Sequence, residues 1–267
     1  MAHDLTSAAA EFPDPFHLRV LESAGSTNDE LRVLAEASAP PGLVLLALEQ
    51  TAGRGRRGAR WVASPGESLT FSILLRPSEP KALWPRLALA AGLAVAEAVE
   101  SFGPAAGIKW PNDVWIGSRK VAGILVEAGA DFAIIGIGLN VNTTSFPDEV
   151  ADIASSLAME TGITHSRGEV LAAIIRRFAI RAQQIDADFS ALMDQVRQRC
   201  VLSGKTVQLV TPAGPRVGVV DGLSHAGELI FRSSSGTEHL IQADEIRIVS
   251  SSEQNPISLP LTESPLS

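Results

Sequence analysis

Residues 51–61 read T-A-G-R-G-R-R-G-A-R-W, and the fold turns on how this stretch is taken. Gly53, Gly55 and Gly58 spell G-x-G-x-x-G, the pattern of a dinucleotide-binding turn. Such a turn needs a strand before its glycines and a helix directly after them. The strand is there, since Leu43 to Leu48 is a continuous apolar run. The helix is not. Gly58 is followed by A-R-W-V-A-S-P-G-E, a turn at Ser64 to Glu67, and a second strand over Leu69 to Leu75. No acidic residue stands at a strand end about 20 positions on, where a ribose would need it. Nor does a Gly-Lys-Ser/Thr follow, so the stretch is not a P-loop.

Two readings of the loop remain open. Most charge runs are solvated surface. Here, however, Arg54, Arg56 and Arg57 fill the variable positions and Arg60 follows. Glycines permit backbone geometries and close approaches that other residues forbid, and arginine offers a planar fork of donors suited to phosphate and carboxylate. Such a loop is suited to ordering itself around an anion. The rest of the chain is acidic, with net charge -8 over 267 residues. A general nucleic-acid binder needs a broad basic face, and aromatic residues do not interleave with these arginines as a single-strand RNA binder requires. A small anionic ligand is the better match.

Hydrophobic residues are 45% and charged residues 19% of the chain, the balance of a soluble globular protein. Cys200 is the only cysteine, which suits a reducing cytoplasm. Met1-Ala2-His3-Asp4 does not begin a secretory signal. The most apolar segment, Leu83 to Val99, contains Arg86 and Glu97 and is expected to be a core helix, not a membrane span. Histidines at 3, 17, 165, 225 and 239 show no metal-ligand spacing, so no structural metal is expected.

Outward from the loop, residues 1–16 are expected to fray and Leu18 to Glu22 to form a strand. Thr27 and Glu30 fit a capping box opening a helix, which Pro40-Pro41-Gly42 ends. Lys81 to Ser101 has helical apolar spacing. Asp113 to Ile116 and Lys120 to Glu127 read as a hairpin through Gly117-Ser118, and Phe132 to Asn142 as a further strand. Glu169 to Cys200 is mainly helical in pattern. Beyond it, Val207 to Val210, Arg216 to Asp221, Glu228 to Phe231, Glu238 to Gln242 and Glu245 to Val249 are short strands set between turns, the spacing of a small β-barrel. The expected division is a tail (1–16), a first domain (17–202), a second domain (203–250) and a disordered tail (251–267).

Three further motifs settle the reading. K-W-P-N-D (Lys109 to Asp113) packs a cation, an indole, an amide and a carboxylate into five residues. K-V-A-G-I-L-V-E (Lys120 to Glu127) sets a lysine at the head of an apolar strand. G-I-G-L-N-V-N (Gly136 to Asn142) leaves Asn140 and Asn142 where buried amides need partners. In this order, with G-R-G-R-R-G, they resemble the biotin–protein ligases, closely over Ser26 to Asn142. The β-rich end beyond Leu202 resembles that family's small SH3-like domain. Only about 25 residues precede Ser26, too few for the DNA-binding domain of the longer members, so the resemblance is to the class without one.

The resemblance implies an α+β fold, a class II synthetase-like catalytic domain with a mixed sheet and flanking helices. It implies two-step chemistry: biotin and ATP give biotinyl-5′-AMP, and a lysine of a biotin carboxyl carrier protein takes the biotinyl group. Mg2+ comes with ATP, the setting is cytoplasmic, and neither DNA nor membrane is a partner. The biotin contacts it implies are Ser26, Thr27, Asn28, Gln50, Gly53, Arg54, Gly55, Arg56, Lys120 and Gly123. The ATP contacts are Arg54, Arg56, Arg57, Trp61, Lys109, Trp110, Asn112 and Asn140, with Trp61 near adenine or else in the core. Lys120, Asp113 and Arg56 are the implied catalytic set. A lipoate ligase or octanoyltransferase shares the catalytic fold, but the arginine loop and K-W-P-N-D favour biotin.

Overall fold

A computed structural model describes residues 2–211, 214–243 and 245–249. The expected tail at 251–267 lies outside the described residues. The opening segment does not fray. It forms helix α1 (Ala2–Ala8), whose Leu5 is fully buried and whose Asp4 accepts a 2.9 Å hydrogen bond from Ser166 Oγ. A helix this short does not hold alone. Burial of the leucine, about 1.5–3 kcal/mol, anchors it.

Strand β1 (His17–Ala24) leads through α2 (Thr27–Glu36) into β2 (Leu43–Gln50), which pairs with β1 in parallel. The other neighbours in this sheet are antiparallel: β3 (Ser68–Leu75), then, after α3 (Arg86–Glu100), β4 (Ala106–Lys109), β5 (Asp113–Ile116), β6 (Arg119–Ala128) and β7 (Ala133–Asn140). The spatial order is β1-β2-β3-β7-β6-β5-β4. Strand β4, A-G-I-K, has no strong signal in the sequence. Its outer edge is covered because Ile108 N donates to Arg199 O at 2.7 Å and Val201 N to Ile108 O at 3.0 Å, which blocks open-edge pairing.

Short helices α4 (Asp148–Ala151) and α5 (Leu157–Thr161) precede α6 (Arg167–Ala187) and α7 (Phe189–Gln198). The helical stretch expected over 169–200 is thus two helices, broken at Asp188, whose carboxylate caps α7 by accepting from Ala191 N at 3.0 Å. Strands β8 (Thr206–Thr211), β9 (Gly214–Leu223), β10 (Leu229–Ser233), β11 (Gly236–Leu240) and β12 (Glu245–Ile248) form a second, antiparallel sheet, ordered β11-β10-β9-β8-β12.

The two faces of the large sheet are covered unequally. Helices α3 and α6 fill one face with the main core. The stretch Lys81–Glu100 is long and apolar enough by composition to cross a bilayer, and its apolar side chains are spent in this core. On the opposite face α2 sets Leu31 and Ala35 on Leu43, Leu45, Leu74 and Ile134. It reaches β2, β3 and β7, and leaves the face of β5 and β6 for the arginine loop. The second sheet shares the main core: Val207, Leu209, Val220, Phe231 and Ile246 belong to the same buried cluster as Ile108, Trp110 and Leu202.

Candidate active site

The floor of the site is a row across four strands. Asp113 of β5 pairs with Gly123 of β6, Gly123 with Gly138 of β7, and Gly138 with Thr70 of β3. Side chains alternate along a strand. Ile135, Ile137 and Leu139 therefore point into the core, and Gly136, Gly138 and Asn140 face the site. The glycines make a trench that two side chains fill from above. A Cβ on Gly138 would collide with the Trp61 indole, and one on Gly136 with the Asn28 amide. The cavity they enclose is ≈ 220 Å³, and its walls include Ser26, Thr27, Asn28, Gln50, Trp61 and Lys120.

One end of the trench is a polar network of uncharged groups. Gln50 Oε1 accepts from Thr27 N at 2.8 Å and from Thr27 Oγ1 at 3.1 Å. Ser72 Oγ lies 2.7 Å from Thr27 Oγ1 and 2.6 Å from Asn28 Oδ1. The expected capping box does not form. Ser26 is the N-cap residue of α2, without a side-chain cap bond, and Thr27 turns its hydroxyl to Gln50. Contact with a neighbouring strand wins over a local cap because the Thr27 hydroxyl is buried and needs a partner, which half-buried Gln50 supplies.

At the other end Lys120 Nζ lies 2.8 Å from Asp113 Oδ1, with the two side chains 30% and 20% exposed. Lys120 is held from behind: its N–H donates to Ile153 O at 2.7 Å and its carbonyl accepts from Ser155 N at 2.9 Å. Its ammonium is 5.7 Å from the Trp61 ring centroid. Lys109 packs its ammonium 4.5 Å from the Trp115 ring centroid. Burial lowers the Lys109 pKa from its ordinary value, Asp113 opposing and Lys120 adding to the effect.

The arginine loop is a small hairpin. Trp61 N donates to Gly53 O at 3.0 Å and Gly55 N to Ala59 O at 2.6 Å. The turn uses left-handed backbone at Arg57 (φ 55) and Gly58 (φ 78). Its arginines divide. Arg54 is matched by acids, Asp29 at 2.6 Å and Glu127 at 2.8 Å. Arg56 donates to Asn112 Oδ1 at 3.1 Å and to Ala243 O at 3.3 Å, neither of them a carboxylate. Burial, and then the like charge of Arg57, lowers the Arg56 pKa from its ordinary value, with Asp113 opposing. A half-buried cation whose partners among the described residues are neutral oxygens can receive an anion.

The Biotin/lipoate A/B protein ligase family description matches residues 20–142. A biotin–[acetyl-CoA-carboxylase] ligase of Mycobacterium tuberculosis is 36% identical over 239 residues, 86% of this chain and 89% of that protein. This chain belongs to the biotin–protein ligase family. The bifunctional ligase/repressor BirA of Bacillus spizizenii is 34% identical, over 85% of this chain and 73% of that protein. A biotin protein ligase from Aquifex aeolicus, solved in complex with biotin and ATP, superposes with a TM-score of 0.79 at 32% identity, covering 87% of this chain and 99% of that one.

In this ligase twelve of the residues singled out from the sequence line one cavity: Ser26, Thr27, Asn28, Gln50, Arg54, Gly55, Arg56, Trp61, Asn112, Asp113, Lys120 and Gly123. Five do not. Asn140 lines an adjoining cavity of ≈ 180 Å³, which shares Lys120, Trp61 and Arg60 with the first. Gly53 sits under the carbonyl of Trp61 and serves the loop's closure, since a Cβ there would clash with that oxygen. Arg57 is exposed at the loop tip, and Lys109 lies on Trp115. Trp110, expected among the ATP contacts, is 2% exposed and donates from Nε1 to Gly227 O at 2.9 Å. It lies in the turn after β4 and packs into the main core. Sequence reading also missed Ser72, which joins the uncharged network, and Asp29 and Glu127, which hold Arg54, Glu127 accepting from Asn28 as well. For Glu127 a signal existed, because it shares strand parity with Gly123 and Leu125.

Proposed function

We propose that this trench activates biotin with ATP and passes the biotinyl group to a lysine of a biotin carboxyl carrier protein, as a biotin–[acetyl-CoA-carboxylase] ligase. In the first step a carboxylate oxygen of biotin attacks the α-phosphorus of ATP. The bond to pyrophosphate breaks, and biotinyl-5′-AMP forms. In the second, the carrier amine attacks the acyl carbon, an amide forms, and AMP leaves with the electron pair of the broken C–O bond.

The observation that carries this reading is the position of Lys120. It lies where the two cavities meet, on a glycine floor and beside Asp113. An ammonium there reaches both a carboxylate in the first cavity and a phosphate at the junction, and stabilises negative charge in both steps. The uncharged donors and acceptors of Ser26, Thr27, Gln50 and Asn28 suit the ureido ring of biotin, which has N–H donors and a carbonyl but no charge. Gly123 and Gly55 give it close approach. Asn140 and Trp61 suit an adenine in the second cavity, where the buried Trp61 Nε1 has no acceptor among the described residues. Arg56, hydrogen-bonded to Asn112 and adjacent to Arg57 in the chain, faces the phosphates, with Lys109 assigned to them as well. Arg54 is a weaker candidate for that contact, because two carboxylates already match its charge. Asp113 takes the proton of the incoming amine. Magnesium enters as the companion of the ATP phosphates.

Residues 17–202 are assigned to the catalytic domain, class II synthetase-like in type. Residues 203–250 are assigned to an SH3-like domain whose loop at Ala243 supports Arg56. The test is incubation with ATP, biotin and a carrier domain, read by mass spectrometry. One biotinyl adduct on one carrier lysine, with pyrophosphate released, is the expected result. Thermal stabilisation by lipoate but not by biotin would instead select the lipoate branch of the family.

A further inference from the structure

Glu127 lies seven residues along β6 from Lys120 and has no part in the chemistry above. Its side chain is nonetheless held inside, 21% exposed, by three hydrogen bonds from two different elements. Asn28 Nδ2 of α2 donates at 2.6 Å. Arg54 of the loop donates from Nη1 at 3.1 Å to one oxygen and from Nη2 at 2.8 Å to the other. The last pair is a forked guanidinium–carboxylate contact, strong and orientation-specific. Asp29 also touches Arg54, but its side chain is 58% exposed, and an ion pair that wet contributes little.

We infer that Glu127 is a positioning residue that fixes the base of the arginine loop and the amide of Asn28 together, so that only the loop tip moves when ligand binds. This rests on the biotin-site reading above. The loop base is a short ladder, Gly53 to Trp61 and Gly55 to Ala59, and Arg54 lies on it. Arg54 bound to Glu127 therefore ties that ladder to a strand of the sheet. Beyond the ladder lie Arg56, Arg57 and Gly58, whose left-handed turn is the segment free of this clamp.

Asn28 is fixed in the same way. Its Oδ1 accepts from Ser72 Oγ at 2.6 Å while its Nδ2 is spent on Glu127. Its rotation is thereby set against the Gly136 floor, where no Cβ would fit. Asn28, Gly55 and Arg56 are all walls of the biotin cavity. Glu127 thus shapes the cavity without entering it. The sequence assigns Arg54 to the ligand, and the geometry assigns it to the scaffold.

The experiment compares wild type with Glu127→Ala, Glu127→Gln, Arg54→Ala and the double Glu127→Ala/Arg54→Ala. Ligand-free protein is treated with trypsin, and first cuts at Arg56, Arg57 and Arg60 are mapped by mass spectrometry. With the clamp gone, local opening and cutting should rise about tenfold in each alanine single variant. The double should be no worse than Glu127→Ala, because both remove one interaction. In pyrophosphate-release assays the biotin KM of Glu127→Ala should rise about tenfold, with kcat at saturating biotin changed less than about threefold, since Lys120 and Asp113 are intact. Glu127→Gln, which keeps an acceptor for Asn28 but loses the charge, should fall between. Unchanged loop cutting overturns the clamp. So does faster cutting with an unchanged KM, equal losses of kcat and KM with a lowered melting temperature, or strict additivity in the double variant. The trypsin arm uses no substrate, so a failed biotin assay in the wild type would sink the functional reading and leave the clamp to be decided on its own.

Discussion

Lys120 is the residue on which most of the chemistry converges, and its neighbours define what its loss would do. Lys120→Ala removes the charge at the junction of the two cavities and leaves Asp113 without its 2.8 Å partner. Removing one preorganised charge-stabilising group lowers rate by about 10²–10³. Pyrophosphate release should fall by that factor while the far-UV spectrum stays native; near-normal release from a folded variant would exclude Lys120 from the mechanism. The glycines of the floor give a steric test. An alanine at Gly138 must displace the Trp61 indole, a rigid ring. An alanine at Gly123 meets the flexible end of Lys120 at 3.2 Å and the edge of the same indole at 3.3 Å, against 2.3 Å at Gly138. Overpacking costs about 1–3 kcal/mol, equivalent to about 2–4 °C per kcal/mol in a chain of this size. Gly138→Ala should therefore lower the melting temperature and the nucleotide affinity more than Gly123→Ala does. Equal effects would mean that the indole is not seated on β7.

At the scale of the element, the arginine loop is a hairpin with a clamped base and a tip that carries Arg56. The biotinyl-5′-AMP intermediate is a mixed anhydride, lost if it escapes or if water reaches it. Closing a charged tip over it supplies charge-assisted hydrogen bonds worth about 1.5–3 kcal/mol each. Arg56→Gly removes one such grip, breaks the ties to Asn112 and Ala243, and raises the entropy lost on ordering. A loss of about 2 kcal/mol corresponds to roughly 30-fold faster escape. The variant should still form adenylate, through Lys120, and should biotinylate a bystander such as serum albumin more relative to the carrier. A variant that is slower but equally faithful would place Arg56 in substrate binding or chemistry, not retention.

For the whole molecule the consequential fact is one continuous core under two sheets. The turn of the second sheet at Gly227 (φ +91) is pressed so close to α3 that a Cβ there would sit 2.8 Å from Leu89. Its carbonyl receives the Trp110 indole N–H. Truncation after Leu202 strips this cover from Trp110 and Ile108, both nearly fully buried. The truncated chain should aggregate or unfold in place of forming a self-standing biotin-binding domain; a soluble fragment with a cooperative melt would show that the cores are separable. Trp110→Phe is the gentler version. It keeps most of the apolar bulk and leaves Gly227 O without its donor, so it should cost about 1 kcal/mol, read as a lower urea midpoint with an unchanged slope.

The local part of this protein was written in its sequence. Continuous apolar runs marked the buried strands β2, β3 and β7, glycine and proline marked their ends, and four short motifs named the family and most of the residues that line one cavity. Those signals are local because a strand's burial and a loop's backbone freedom depend on residues within a few positions. What the sequence did not reveal depends on contacts between distant segments. Leu5 makes a helix of a segment that looked disordered, because α6 is there to bury it. Thr27 abandons its capping role for Gln50, 23 residues away. Trp110 faces the second sheet and not the ligand, and Arg54 is neutralised by an acid 73 residues on. Each outcome is a choice of partner for a group that must be buried or paired. That choice is made only when the chain has brought the partners together.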